Sequence, residues 1–461
     1  MESPAECRSP ERTPPSILKR TFLWIAILIP PAAFYLLLAK SLVSLPFMDD
    51  YQAVLGFLLQ WKNETGLGRL FQIATYQHNE YRCMFGNAIT GIQYQILGHT
   101  NLQVLSILGD LFVLPLFGLL YLIWRECGRP RDYTILAFVP ASWILFQLQY
   151  ESTLNFASSG LQNIPVIVFA LLACFLASKA GATAFLGTLL SLLLSIASSG
   201  NGLFLIPIGA IIYLQHREYK RLVAWCALSG IACLVYFHGY NFKAETPITH
   251  MDNNVLGLLQ HLSLPYAAAF LGSIAAMRNP LPAILFGIVL VGVFILATSD
   301  RLFARRPALY YSMLFFIVTG LAVSGLRSSL GIASAITSRY RINSTVLLIL
   351  LYLYLADKFY GIHLRPLILK ACAFVVGVLL IGFTAESDRV GEKLLLARRR
   401  ALEVEMMRWQ RHEPRHALAA SFPGDFTAEN EKNGLYDPIE PFFSESIREG
   451  IYQIPALPAE H

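Results

Sequence analysis

The sequence predicts an all-α, polytopic membrane protein, and three observations carry that prediction. Of 461 residues, 55% are hydrophobic and only 14% are charged, against roughly 25% charged in an average soluble domain. Mean hydropathy is +0.52. The apolar residues gather in runs close to the roughly 20 residues that cross a bilayer. A disordered chain, a disulfide scaffold, a collagen-like fibre and an ordinary cytosolic enzyme are excluded. Seven cysteines, an odd number with no CxxC pair, give neither a disulfide framework nor a paired metal or redox site. The net charge of +6 does not imply nucleic acid, because the charges sit in short clusters between apolar runs.

Eleven spans are expected, near 21–46, 101–124, 133–149, 161–178, 182–198, 202–215, 221–239, 281–299, 307–326, 342–357 and 367–384. The run at 202–215 is the weakest, being only 14 residues. The first span reads as an uncleaved anchor, since no small-x-small cleavage site follows it. Lys and Arg set the orientation. Arg8, Arg12, Lys19 and Arg20 place segment 1–20 in the cytoplasm. Arg125, Arg129 and Arg131, and then Arg217, Lys220 and Arg221, mark two further inner connections. Segment 43–100 is then a long external loop, whose apolar stretches 52–61 and 67–76 read as short helices along the membrane surface.

Residues 255–277 are apolar enough to suggest a further span. A crossing there would put Arg301, Arg305 and Arg306 outside. A re-entrant or interfacial segment keeps them inside, and Pro265 and Gly272 suit a broken element. The domain plan is therefore a cytoplasmic 1–20, a membrane domain 21–384 and an external soluble tail 385–461. The tail opens with a basic helix over 389–411 that suits an anionic lipid surface.

Polar residues are costly near a bilayer, and their positions point to function. Asp49 and Asp50 follow the first span directly. A carboxylate at a cavity mouth can act as general base on a hydroxyl or hold a divalent cation; the same pair would also simply end a helix in solvent. Next comes Gln77-His78-Asn79-Glu80-Tyr81-Arg82. On a helix His78 and Arg82 would share a face and suit a hydroxyl-rich or anionic ligand; an ordinary helix start reads equally well. Tyr150 and Glu151 stand in the second external connection and Asn201 in the third, between Gly200 and Gly202. Arg327 and Ser338-Arg339-Tyr340-Arg341 form the fourth. Guanidinium groups there match phosphate geometry, or simply snorkel. Asp110 lies within the second span. The polar islands fall on one face of the membrane.

The acidic pair after the first span, with HNEYR, SSGNGLFLIP and SRYRIN across roughly 45–345 and a weaker stretch at 445–456, resembles the GT-C superfamily of membrane glycosyltransferases, in a poorly characterised bacterial branch. The resemblance implies a GT-C-like fold in the bacterial inner membrane with an external C-terminal part. It implies a polyprenyl-phosphate sugar donor and a glycan or lipid acceptor on the periplasmic face, in contact with membrane lipids. Asp49 matches the catalytic base, with Asp50 beside it where some branches carry Asp-Glu. His78, Glu80, Arg82, Tyr150, Glu151, Asn201, Arg327, Arg339, Tyr340 and Arg341 are the expected substrate-binding set. No cofactor is required, although a divalent cation at Asp49 and Asp50 is compatible with the chemistry. No WWDYG-type acceptor site is present, so transfer to peptide is not supported. The rival readings are a transporter or flippase of lipid-linked sugars, for which Asp110 speaks, and an envelope-assembly component docking through Tyr436–Phe443.

Overall fold

In hydrocarbon no water is at hand for peptide groups, so each apolar run must satisfy its own backbone, and it does so as a helix. The computed structural model describes residues 17–79, 81–241, 261–276, 279–360, 366–411 and 440–456, and they form helices with no strand among them. Six helices among the described residues are long and apolar enough to cross a membrane: Arg20–Ser41, Leu102–Arg125, Ala157–Ala177, Tyr219–Phe237, Leu281–Ser299 and Pro307–Leu330. Ala182–Ser198 and Gly200–Gln215 are apolar but shorter. Phe22, Leu36, Leu234 and Ile288 stay exposed on these helices. Lipid covers an apolar belt of this kind.

The first helix, α1 (Ile17–Ser41), leads into a loop that folds as a π-helical turn (Tyr51–Gly56), α2 (Phe57–Trp61), α3 (Leu67–Thr75) and α4 (Met84–Leu97). Next come α5 (Leu102–Leu111), α6 (Val113–Arg125) and α7 (Arg131–Leu145). They are followed by α8 (Ala157–Ala177), α9 (Ala182–Ser198), α10 (Leu205–Gln215) and α11 (Tyr219–Phe237). The second half holds α12 (Leu264–Leu271), α13 (Leu281–Ser299), α14 (Leu302–Arg305), α15 (Pro307–Arg327) and α16 (Ser338–Lys358). The last two helices are α17 (Pro366–Gln410) and α18 (Glu440–Arg448).

The core forms around α8 and α16, whose Ile164, Ile167, Leu171, Val346, Leu350 and Tyr354 are buried. Where α5 crosses α8 the backbones meet at Gly109 and Gly160; a Cβ on Gly109 would stand 2.7 Å from the Gly160 carbonyl carbon. Small residues permit such close helix contacts in membranes.

Three ion pairs tie together one end of the bundle. Arg20 pairs with Asp132 at 2.8 Å, Arg129 with Asp357 at 2.6 Å and Lys358 with Asp300 at 2.7 Å. These contacts bring the start of α1, the α6–α7 turn and the ends of α13 and α16 together. Asp49 lies beyond the other end of α1.

Several expectations change. The stretch 52–61 is packed inside the fold rather than presenting its apolar residues outward: Val54, Leu55, Phe57, Leu58 and Trp61 are buried. Phe443 and Ile451, from late in the chain, pack on this segment and cover it. By contrast α3 has no buried residue and exposes Leu67, Leu70 and Phe71. Of the 255–277 segment, residues 261–276 are described. Here α12 is a helix of eight residues, about 12 Å long and too short to cross. Its cap Ser263 receives its backbone partner from α15, donating its N–H to Ser324 Oγ at 2.9 Å.

The helix does not break at 384. The 367–384 run and the basic 389–411 helix are one continuous α17, stiffened by the pairs Arg389–Glu386 and Arg399–Glu403. Nor is its basic half turned only outward. Arg398 donates to the carbonyls of Glu151 and Leu154 at 2.7 and 3.2 Å. Arg8 and Arg12 and residues 412–439 lie outside the described residues.

The α5–α8 crossing yields a direct test. Gly109→Ala should cost about 1–3 kcal/mol and lower the melting temperature of the detergent-purified chain. Gly118→Ala, where a Cβ meets nothing within 4 Å, should leave it unchanged. Equal melting of both variants would remove the close-contact account.

Candidate functional site

The site begins with a backbone constraint. Met48 has φ +45°, in the left-handed region that side-chain-bearing residues rarely adopt. The next residues start the π-helical turn, with Asp50 N–H on Phe47 O at 3.0 Å and Ala53 N–H on Asp49 O at 2.7 Å. The two carboxylates then go separate ways.

Asp50 is 1% exposed. Its Oδ2 accepts the Phe47 N–H at 3.2 Å and its Oδ1 accepts the Ser158 N–H at 2.8 Å. Ser158 is the second residue of α8, so Asp50 caps that helix from a distant loop. Burial pushes its pKa up to about 7, opposed by the Ser158 and Phe47 donors and aided by neighbouring Asp49.

Asp49 keeps a third of its side chain exposed. One oxygen lies 3.6 Å from His78 Nε2 and the other 3.7 Å from Arg339 Nη1. These distances exceed those of close hydrogen bonds, so the carboxylate keeps lone pairs for a further donor. Burial alone would raise its pKa. His78, then Arg339 and Arg327, outweigh burial and hold it below the usual carboxylate value.

Arg327 completes this group. Its Nη1 donates to Tyr340 Oη at 2.8 Å and its Nη2 donates to Tyr81 Oη. Tyr81 also lines a cavity shared with Asp49, His78, Asn87 and Gln162. Tyr81 was absent from the expected binding set, although it stands within the HNEYR stretch.

The His78–Arg82 stretch is not a helix. His78 N–H donates to Tyr81 O at 3.0 Å and Tyr81 N–H to His78 O at 2.8 Å, a reverse turn with Asn79 at φ +50°. His78 and Arg82 therefore do not share a helical face. Arg82 is 1% exposed and donates to the carbonyls of Tyr236 and His238 at 2.6 and 2.8 Å. It closes the C-terminal end of α11, where carbonyls lack intrahelical partners. Glu80 lies outside the described residues.

Other expected residues serve the frame. Tyr150 is fully buried and donates to Leu145 O at 2.8 Å. Glu151 accepts from Ser338 Oγ at 2.8 Å and Ser152 Oγ at 3.1 Å, which ties its loop to the start of α16 just before Arg339. Arg341 reaches back to Gln149 O at 3.4 Å, with Glu151 as its acidic neighbour, rather than joining Asp49. Asn201 sits in the tight turn Gly200–Phe204 before α10 and makes none of the bonds that hold the Asp49 group. Asp110 is buried in α5, where it accepts the Asn155 N–H at 3.1 Å.

Among the described residues no group of three or more His, Cys, Asp or Glu side chains is poised to hold a metal ion. Both Asp50 oxygens are engaged by backbone donors, so a cation here would find Asp49 as its carboxylate ligand. No family model matches the chain, and no curated protein or solved structure does.

Asp50 carries a pH prediction. Its folded pKa of about 7 lies above the ordinary 3.8, so the folded chain holds the proton more tightly. That contribution is full below pH 4 and is lost as pH rises through 7. Melting temperature should therefore fall between pH 5 and 8 by roughly 2–4 °C more in the wild type than in Asp50→Asn. Parallel melting curves across that range would refute it.

Proposed function

We infer that this chain is an inverting GT-C-type glycosyltransferase, using a polyprenyl-phosphate sugar donor and a glycan or lipid acceptor at the periplasmic face of a bacterial inner membrane. The reading includes eleven spans, a cytoplasmic N-terminus and a periplasmic C-terminal part. The observation that supports it best is the Asp49 group: an accessible carboxylate kept ionised between His78 and Arg339, with Arg327 beside it. The group lies at the bundle end opposite the Arg20, Arg129 and Lys358 pairs; on an external face its Arg327 and Arg339 run against the positive-inside trend, where a phosphate-bearing ligand gives them an anionic partner.

The chemistry follows from the charges. Asp49 removes the proton of an acceptor hydroxyl, whose oxygen attacks the anomeric carbon from the face opposite the phosphate. The bond from that carbon to the phosphate oxygen breaks, and the configuration inverts. Arg339 and Arg327 meet the charge growing on the leaving phosphate, a preorganised electrostatic role. Arg341 does not take part directly, because it is engaged at Gln149 and Glu151. His78 orients Asp49, and the tyrosine hydroxyls fix Arg327.

The rivals draw less support. Asp110, the residue that favoured a transporter, is engaged with Asn155. Phe443, at the end of the stretch offered for docking partners, is buried against Tyr51 and Tyr452.

The test is release of polyprenyl phosphate from a panel of lipid-linked sugars by the purified chain in lipid, with candidate glycan and lipid acceptors present. Asp49→Asn should lower the rate by about 10²–10⁴-fold while the melting temperature holds. Arg339→Gln should lower it as well. Unimpaired release by Asp49→Asn would end the base assignment.

A further inference from the structure

At the bundle end opposite Asp49, a half-open cavity of about 270 Å³ lies between the end of α6, the end of α8 and the start of α15. Its walls carry Lys179, Arg305 and Arg306 against one carboxylate, Glu126. The three cations come from two separate connections, so the fold assembles the cluster.

Arg305 and Arg306 are held without being fully neutralised. Arg306 donates to the carbonyls of Glu126 and Cys127 at 2.9 and 2.6 Å. Arg305 donates to the Asp300 carbonyl at 2.8 Å. Carbonyls orient a guanidinium but cancel none of its net charge. The Asp300 carboxylate, whose Oδ2 holds Lys358 and Tyr354, lies near enough to Arg305 to offset part of its charge. Among the described residues, Lys179 has a carboxylate at ion-pair distance, Glu126. The cavity therefore keeps an excess of positive charge.

Backbone dipoles add to it. Pro307, Ala308 and Leu309, the first turn of α15, line the cavity. That turn has no capping side chain and no acidic residue. The start of a 21-residue helix thus adds positive potential to the same space. Apolar Ile123 and Leu309 form the remaining wall.

We propose that this cavity binds the phosphate group of an anionic membrane lipid, with Lys179, Arg305, Arg306 and the α15 N-terminus as its receptor. The lipid source is favoured because the cavity lies at the ends of three helices that are long and apolar enough to cross a membrane, at headgroup depth for a spanning bundle. Basic clefts between membrane helices bind headgroups in this way. The proposal is independent of the chemistry assigned to Asp49.

Native mass spectrometry of the full chain, released from a neutral detergent, tests it with dioctanoyl phosphatidylglycerol as probe. The expected result is one saturable phosphatidylglycerol per chain, not displaced by dioctanoyl phosphatidylcholine. Lys179→Gln combined with Arg305→Gln should weaken that binding at least tenfold. The same measurement with inorganic phosphate separates the sources: displacement of the lipid at equal concentration would overturn the lipid assignment in favour of free phosphate. Unsaturable uptake, or equal uptake of the two lipids, overturns the site on the wild-type chain alone, so the proposal does not depend on the double variant folding. Unchanged affinity in a folded double variant overturns it too.

Discussion

The Asp50 carboxylate between two backbone amides is the contact on which the rest of the site depends. It joins Phe47 in the first loop to Ser158 at the start of α8. A buried carboxylate is costly unless it is hydrogen-bonded, and here the donors come from two segments that must both be in place. With Asp50 fixed inward, its neighbour is carried to the cavity side. The adjacent acidic pair is therefore one structural and one accessible carboxylate, and their environments push their proton affinities in opposite directions. Divergence of this sort between neighbouring acids is a recurrent sign of separate roles.

Helical, membrane-embedded character was legible from apolar run length alone, because hydrocarbon leaves the backbone few options. Individual boundaries were not. The 367–384 run and the following basic stretch are one helix, since no proline interrupts 367–410 and local ion pairs sustain the helix once it leaves the apolar region. The fate of α2 was hidden for another reason. Its apolar residues would suit a membrane surface equally well, and only the return of Phe443 and Ile451 decides that they are buried.

The candidate site was legible in part. Asp49, His78, Arg327, Arg339 and Tyr340 stood out as charged or polar groups at the ends of apolar runs, and they do converge. Arg82, Tyr150 and Arg341 stood out by the same rule but hold carbonyls of the frame. Residue type cannot tell a ligand-facing arginine from one that closes a helix end, because both supply the same donors. The helical pairing of His78 with Arg82 failed at Asn79, whose left-handed conformation turns the chain.

The late part of the chain closes over the early part. Thr100 N–H donates to Ile451 O at 2.7 Å, Tyr452 Oη to Ser44 O at 2.6 Å, and Lys62 pairs with Glu449 at 2.9 Å. Chains emerge from the ribosome N-terminus first. The first loop is therefore made long before residues 440–456, which cover it. Biogenesis times the site: a nascent chain halted before residue 440 has its acidic pair but not the segment that packs over the neighbouring loop.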